Sequence, residues 1–492
     1  MADNQQPGTA YHLTRSKRLI LACGALITCL IWWVLQPASD PSDGLALTPE
    51  ARHLAVVFAL IITLWISEVI PIAVASLAIV PLLVVAGITE TRAAITGFAS
   101  PVFMFVLSMF ILAAVIRRAG LDRTLASFLL ARAGSHPHRI LLAFMTATAT
   151  LSTIISDVPA CAVFMTMGLE LLKRLGVQPR DSRFGRALMM GIPIAALIGG
   201  VATPAGSSVN VLGIQQITDF ADKHQLDLQI TFLQWSAIGI PMVLVLIPLA
   251  WWILVCCCPA EESAIQAAKS VQLDPSPAQK LDASQIMTLA LLGVMLSLWI
   301  AGSWVRWLDV TVVAMLGAII VFLPGIRLIT WSEAQAAISW ETLLMIGGVV
   351  VLGKASLSTG LAETLVTGTI DGIQNWNLIT IIAFVSTITV LIHLPLPIAP
   401  VVNVVLIPPV AALALDPVSG QAIHNPIWFA LPVAFMASCA FLLPLDAVCL
   451  LTYSKRYYRM HDMLLPGSLI SVCWVIIMTV VMLVMAPLVG LV

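Results

Sequence analysis

The sequence predicts an all-α polytopic membrane protein made of two inverted repeats, and three observations predict it. Hydrophobic residues are 60% of the 492 and charged residues only 10%, whereas soluble domains carry about 25% charged residues. Mean hydropathy is +1.01, and apolar runs of about 20 residues, the length that spans a bilayer, recur along the chain. The order of those runs repeats 240 residues later. A net charge of −1 gives no case for a nucleic-acid partner. The nine cysteines show neither metal-ligand spacing nor a disulfide framework. The run Cys256-Cys257-Cys258 reads as small apolar residues beside the membrane, with lipidation as the alternative.

The first element is a basic segment leading into an apolar run, "LTRSKRLILACGALITCLIWWVL". The run is long and lacks a small-residue cleavage site, so it reads as a first span, 19–36, rather than a signal peptide. Further spans are expected over 52–69, 70–89, 101–117, 184–217, 231–257, 286–304, 310–328, 341–358, 425–452 and 467–490. Blocks 139–175 and 377–415 each break near the middle, as two full spans or as a re-entrant hairpin. Arg15, Lys17 and Arg18 put the N-terminus in the cytoplasm, and the acidic loop after the first span lies outside. Both ends of block 139–175 are basic, so both face the cytoplasm, which fits either reading. The basic segment 453–465 also lies inside and the C-terminus outside, in the inner or plasma membrane. Trp32-Trp33 and Trp251-Trp252 read as interfacial anchors. The expected divisions are a tail and first span, 1–51; a first repeat, 52–257; a cytoplasmic linker, 258–285; and a second repeat, 286–492.

The repeat is visible in the residues. "FMFVLSMFILAAVIRRAGLDRTL" at 103–125 matches "LLMIGGVVVLGKASLSTGLAETL" at 343–365, with Gly120-Leu121 on Gly360-Leu361. The same offset sets Thr203-Pro204-Ala205-Gly206 on Leu443-Pro444-Leu445-Asp446. Each half has an odd number of crossings, so the copies are inverted, as in many secondary transporters. Four Gly- or Pro-containing interruptions then converge: "SDVP" at 156–159, "GGVATPAGSSVN" at 199–210, "HLPLPIAP" at 393–400 and "LLPLDAV" at 442–448. Broken helices free N–H groups that favour anions and C=O groups that favour hard cations. That pairing fits anion–cation cotransport.

The chain from about residue 50 onward resembles the divalent anion/sodium symporter family of dicarboxylate, citrate and sulfate carriers. The resemblance rests on "WISEVIPIAVASLAIVPLL", "SMFILAAVIRRAGLDRTLA", "GGVATPAGSSVN" and "SCAFLLPLDAVCLLTYSKRYYRMHDMLLPG", in that order and spacing. It implies a homodimer in lipid, a scaffold part and a moving transport part working as an elevator. It also implies that blocks 139–175 and 377–415 are re-entrant hairpins and that 184–217 and 425–452 are broken helices. The family's hairpin tips carry Ser-Asn-Thr at sodium and substrate. Here the first tip reads Ser156-Asp157-Val158, with Ser152 one turn earlier and Gly206, Ser207, Ser208 and Asn210 at the first break. The second tip, within Leu396–Pro400, has no such triplet, and Asp446, Ala447 and Leu450 replace Gly206, Ser207 and Asn210. The resemblance therefore implies cation ligands at Ser152, Ser156, Asp157, Gly206, Asn210 and Asp446, the last for sodium or a proton. It implies substrate contacts at Ser156, Asp157, Val158, Ser207, Pro397, Ile398, Ala399, Ala447 and Val448.

Asp157 can oppose a sodium charge, carry a proton as buried carboxyls do, or cap the helix expected to begin at Pro159. Asp446 is read as a coupling residue or as one partner of an internal pair. His393 is read as a satisfied polar residue rather than a proton carrier or substrate contact, and Glu68 as interfacial. The functional expectation is symport of a small organic or inorganic anion, a carboxylate above all, with sodium and, at one site, a proton. A cation/proton exchanger of related architecture is the alternative. No nucleotide loop, metal cluster or nucleophile–base pair points to an enzyme.

Overall fold

Helix-breaking residues fall where this chain needs its ends to be. A computed structural model describes residues 24, 28, 48–67, 69–125, 128, 136–261, 281–305, 307–361, 376–416 and 421–492. The expected first span and Glu68 therefore lie outside the described residues, as does most of the linker. Among the described residues the fold is helical, with a single isolated bridge between Leu415 and Ala422. Among the described residues seven helices are long and apolar enough to cross a membrane, as befits an integral membrane protein.

The chain forms two compact units, 1–98 with 340–361, and 99–339 with 362–492. In the first, α1 (Pro49–Ser67), α2 (Ile72–Val85), the short α3 (Thr91–Ile95) and, much later in sequence, α13 (Trp340–Thr359) pack together. The Trp65 indole N–H donates to Ser76 Oγ at 3.1 Å, joining α1 to α2. Gly348 lets α13 meet α2, since a Cβ there would lie 3.0 Å from the Ser76 carbonyl oxygen.

The second unit begins with α4 (Pro101–Ala119), started by Ser100 accepting from the Phe103 N–H and stopped by Gly120 at φ +68°. It continues with α5 (Pro137–Ile155), α6 (Asp157–Arg174), α7 (Arg183–Gly200), α8 (Ser208–Lys223) and α9 (Phe232–Cys257). Next come α10 (Ala283–Ala301), α11 (Val310–Ile320) and α12 (Trp331–Ala337). It ends with α14 (Leu378–Ile392), α15 (Ala399–Ala412), α16 (Ile427–Met436), α17 (Ala447–Tyr453) and α18 (Leu464–Leu488). Capping boxes start α9 at Thr231/Gln234 and α10 at Asp282/Gln285. The span expected over 310–328 is only α11. After Ile320 the chain turns through Pro324 and Gly325, whose φ of +94° suits glycine. The run expected to end at 217 continues as helix to Lys223.

Packing inside this unit is the same in its two halves. Helix α5 packs on α6, α7 and α9, and α14 packs likewise on α15, α16 and α18. The α6–α7 contact has its counterpart in α15–α16, and α7–α9 in α16–α18. The halves also exchange partners: α8 packs on α15 and α16, while α17 packs on α6 and α7. Trp235 of α9 stacks on Phe435 of α16 with centroids 4.1 Å apart and donates its N–H to the Val201 carbonyl at 2.9 Å.

The N-terminus of α7 is held from afar. Glu261 accepts hydrogen bonds from the Arg183 and Phe184 N–H groups and the Ser182 hydroxyl. Burial would raise its carboxyl, but these bonds and one from its own backbone N–H outweigh burial and hold it below the usual glutamate value. Its contribution is therefore complete above the ordinary range and lost as pH falls through the lowered native value. Glu261→Ala should cost about 1–2 kcal/mol, the scale of a lost helix cap. Thermal unfolding in detergent should show a gap from wild type at neutral pH that closes in acid; a gap constant with pH would contradict this.

Candidate functional site

Two helices meet at Ser156, whose φ of +85° is costly for a residue with a Cβ. This strain points the start of α6 at the first break. Helix α6 begins at Asp157 itself, so Pro159 is the third helical residue rather than the first, and Asp157 is not the residue before the helix. The Asp157 carboxylate accepts from the Val158 N–H at 2.8 Å and from the hydroxyls of Ser156 at 3.0 Å and Ser207 at 2.9 Å. The expected residues Ser156, Asp157 and Ser207 are thus joined directly, and Val158 is exposed beside them.

Helix α7 stops at Gly200, and the chain crosses an extended Thr203, a 3-10 turn at Pro204–Gly206 and an extended Ser207 before α8 starts. Thr203 Oγ donates to the Thr153 carbonyl at 2.8 Å, tying this break to α5. The Asn210 amide donates to the carbonyls of Gly200 at 2.7 Å and Thr203 at 2.8 Å. Its oxygen is buried with no partner. Gly206 has no room for a side chain, because a Cβ would collide with the Gly200 carbonyl oxygen and lie 3.0 Å from that of Ser152. Ser152 is fully buried, and its hydroxyl donates to the Ala196 carbonyl at 2.6 Å. Ser152, Asp157, Gly206 and Asn210 therefore share one neighbourhood, rich in oxygen and holding one unused buried acceptor. Such a donor set fits a hard monovalent cation better than a transition metal.

The second tip is looser. Helix α14 ends at Ile392, and α15 begins at Ala399 with no side-chain cap from Ile398. Asp446 is the N-cap of α17 and accepts from the Val448 N–H at 2.8 Å. It is buried, and no ion pair to a Lys, Arg or His is present among the described residues, so the internal-pair reading falls away. Val448 is buried and Ala447 exposed. The Cys161 thiol of α6 donates to the Val448 carbonyl at 3.5 Å. The two half-sites are thus neighbours. A small pocket lies at the second one, lined by Pro397, Asp446 and His393 among apolar residues. His393 is 4% exposed, and the carbonyls of Met436 and Ala437 lie near its ring, but neither ring nitrogen makes a hydrogen bond of normal geometry.

Asn403 was not expected. It donates from α15 to the Val209 carbonyl of α8 at 2.8 Å, with its own oxygen buried and unpartnered. A lone amide inside an apolar helix is the signal that marks it.

The family model described as citrate transporter matches residues 62–434. A sodium-dependent dicarboxylate transporter, SdcS, of Staphylococcus saprophyticus is 26% identical over 525 residues, covering 99% of this chain and 95% of that one. Sodium-dependent high-affinity dicarboxylate transporter 3 of Caenorhabditis elegans is 23% identical, covering 83% and 78%. Among solved structures, MtrF of Neisseria gonorrhoeae, described as illuminating a class of antimetabolite efflux pumps, aligns with a TM-score of 0.54 at 11% identity. That alignment covers 95% of this chain and 97% of that one, a likeness of fold.

Proposed function

The chain belongs to the citrate transporter family, among the divalent anion/sodium symporters, and on that premise we propose that it couples sodium to the uptake of a small carboxylate. It is a transporter and not an enzyme. The observation that carries the proposal is the exchange of partners between halves, which sets a polar site at the first tip beside a carboxylate at the second break.

In this reading the sodium ion is cargo held by Asp157, the unpartnered Asn210 oxygen and carbonyls near Gly206, with Ser152 and Ser156 beside it. The substrate carboxylate meets Ser156, Val158 and Ser207, at the N-terminal ends of α6 and α8, whose dipoles favour an anion. Its other end faces Pro397, Ile398, Ala399, Ala447 and Val448, an apolar surface with one acid. Asp446 then carries sodium or a proton as second counter-charge, since an unpaired buried carboxylate is costly. Matched packing in the two halves supports inverted repeats. Re-entrant hairpins are supported for the second block by length: α14 has 15 residues and α15 has 14. At 1.5 Å per residue each is near 22 Å, short of a hydrocarbon core of about 30 Å. The homodimer and the elevator motion complete the proposal on family grounds, and a cytoplasmic N-terminus on the charges of Arg15, Lys17 and Arg18.

Uptake by reconstituted liposomes across carboxylates, sulfate and sulfonates, with sodium and proton gradients set separately, tests it. Sodium-driven accumulation of at least one carboxylate is expected. Cation-dependent proton flux with no anion transported would favour the exchanger.

A further inference from the structure

Helix α15 carries a single polar side chain, Asn403, and it reaches out of its own half. Asn403 is fully buried in a helix whose other side chains are all apolar. An amide in such a place is costly unless it makes hydrogen bonds. Its Nδ2 donates to the Val209 carbonyl at 2.8 Å, in the first turn of α8. Gly213, one turn further along α8, keeps the approach open. A Cβ there would lie 3.2 Å from Asn403 Nδ2 and 2.8 Å from the Ala434 Cβ.

The contact falls on the peptide that joins Val209 to Asn210. The oxygen of that peptide accepts from Asn403, and its N–H, that of Asn210, donates to the Ser207 carbonyl at 3.2 Å. The Asn210 side chain in turn holds the Gly200 and Thr203 carbonyls. The Val209 N–H donates to Ser207 Oγ at 3.3 Å, and the Ser207 hydroxyl donates to Asp157 at 2.9 Å. Hydrogen bonds through Val209 and Ser207 thus join α15 of the second half to Asp157 of the first. The first half returns a weaker contact, from the Cys161 thiol to the Val448 carbonyl at 3.5 Å. The 240-residue offset sets Asn403 on Val163, close to Cys161, and Val209 on Cys449, next to Val448. A thiol is a weak donor, so the amide is the stronger of the two ties.

We infer that Asn403 is a positioning residue for the first half-site. From the second half it fixes the Val209–Asn210 peptide, and with it Ser207 and Asn210, in place for the cation. The inference rests on the transport reading above and adds a residue that does not itself touch the ion. Without the Asn403 donor, the arriving cation must order the first turn of α8 itself, and the cost appears as weaker sodium binding. Saturating sodium restores the site, so the maximal rate stays near that of wild type. By reciprocity, sodium at the first break also steadies α15.

Uptake of labelled succinate and citrate by proteoliposomes, titrated with sodium, tests this in wild type, Asn403→Leu and Asn403→Ser. Leucine removes the donor, and a helical serine turns its hydroxyl to its own backbone. Both variants should raise the sodium concentration for half-maximal uptake by about 3- to 10-fold, the scale of one net hydrogen bond. Their uptake at saturating sodium should match that of wild type. A merely structural Asn403 would lower the rate at every sodium concentration and leave the half-saturation point unmoved. That result, or unchanged sodium dependence in both variants, would overturn the inference and leave the transport reading standing. Hydrogen exchange on wild type decides the matter even if neither variant folds. Sodium without substrate should slow exchange in 199–210 and in α15 over the same concentration range, and slowing confined to 199–210 would overturn the inference. Failure of the transport reading looks different, since neither carboxylate would enter with wild type under any sodium gradient, and the inference would fall with it.

Discussion

Asp157→Asn should raise the sodium concentration for half-maximal uptake by about 10- to 100-fold while leaving the protein folded. The magnitude is that of a hydrogen-bonded charge lost against a cation, about 1.5–3 kcal/mol. The fold should survive because the amide keeps the geometry. Its oxygen can still accept from the Val158 N–H, and the neighbouring Ser156 and Ser207 hydroxyls can turn to suit an amide. Sodium titration of uptake in proteoliposomes measures the shift, and a thermal-unfolding midpoint within a few degrees of wild type confirms folding. Unchanged sodium and pH dependence would reduce Asp157 to a structural role at the start of α6.

Gly206→Ala should cut uptake at least tenfold even at saturating sodium. The added Cβ meets two carbonyl oxygens, those of Gly200 and Ser152, and both belong to backbone that cannot swing aside. Relief requires the 3-10 turn to move away from α5 and α7, which separates Ser207 from Asp157 and opens the Asn210 bonds to Gly200 and Thr203. Overpacking of this kind costs about 1–3 kcal/mol, so the defect should be larger in transport than in stability. Gly293→Ala is the control: a Cβ there meets nothing within 4 Å, and uptake should not change. Normal uptake by Gly206→Ala would show that the first break is not held against the tip during transport.

Much of this was legible in the sequence because helix breaks are local. Ser156 before Asp157 and Pro159, the Gly-Gly and Thr-Pro of the first break and the prolines of 393–400 each interrupt a helix without help from distant residues. The 240-residue offset also corresponds to matched packing, since α6 and α15, or α8 and α17, occupy equivalent places in the two halves. What escaped was set by pairing across the chain. Spacing alone assigns Pro159 to the first helical position, but Asp157 starts α6 because Ser156 takes the strained conformation and Ser207 holds the carboxylate. The place of His393 beside the carbonyls of Met436 and Ala437 follows from how α14 meets the 437–446 segment. The helix α11 was overextended because hydropathy stays high through Val321–Leu323 after the helical geometry has ended at Ile320.

The most direct test of the coupled, asymmetric site is the reversal potential of carboxylate transport in proteoliposomes under separate sodium and pH gradients, for wild type and Asp446→Asn. One polar half-site and one half-site with a single acid predict a sodium slope shallower than two equal sodium sites give, plus a pH term that disappears in Asp446→Asn while the sodium term stays. A full two-site sodium slope with no pH term in wild type would contradict the account and show that backbone carbonyls rebuild a second sodium site around the 442–448 break.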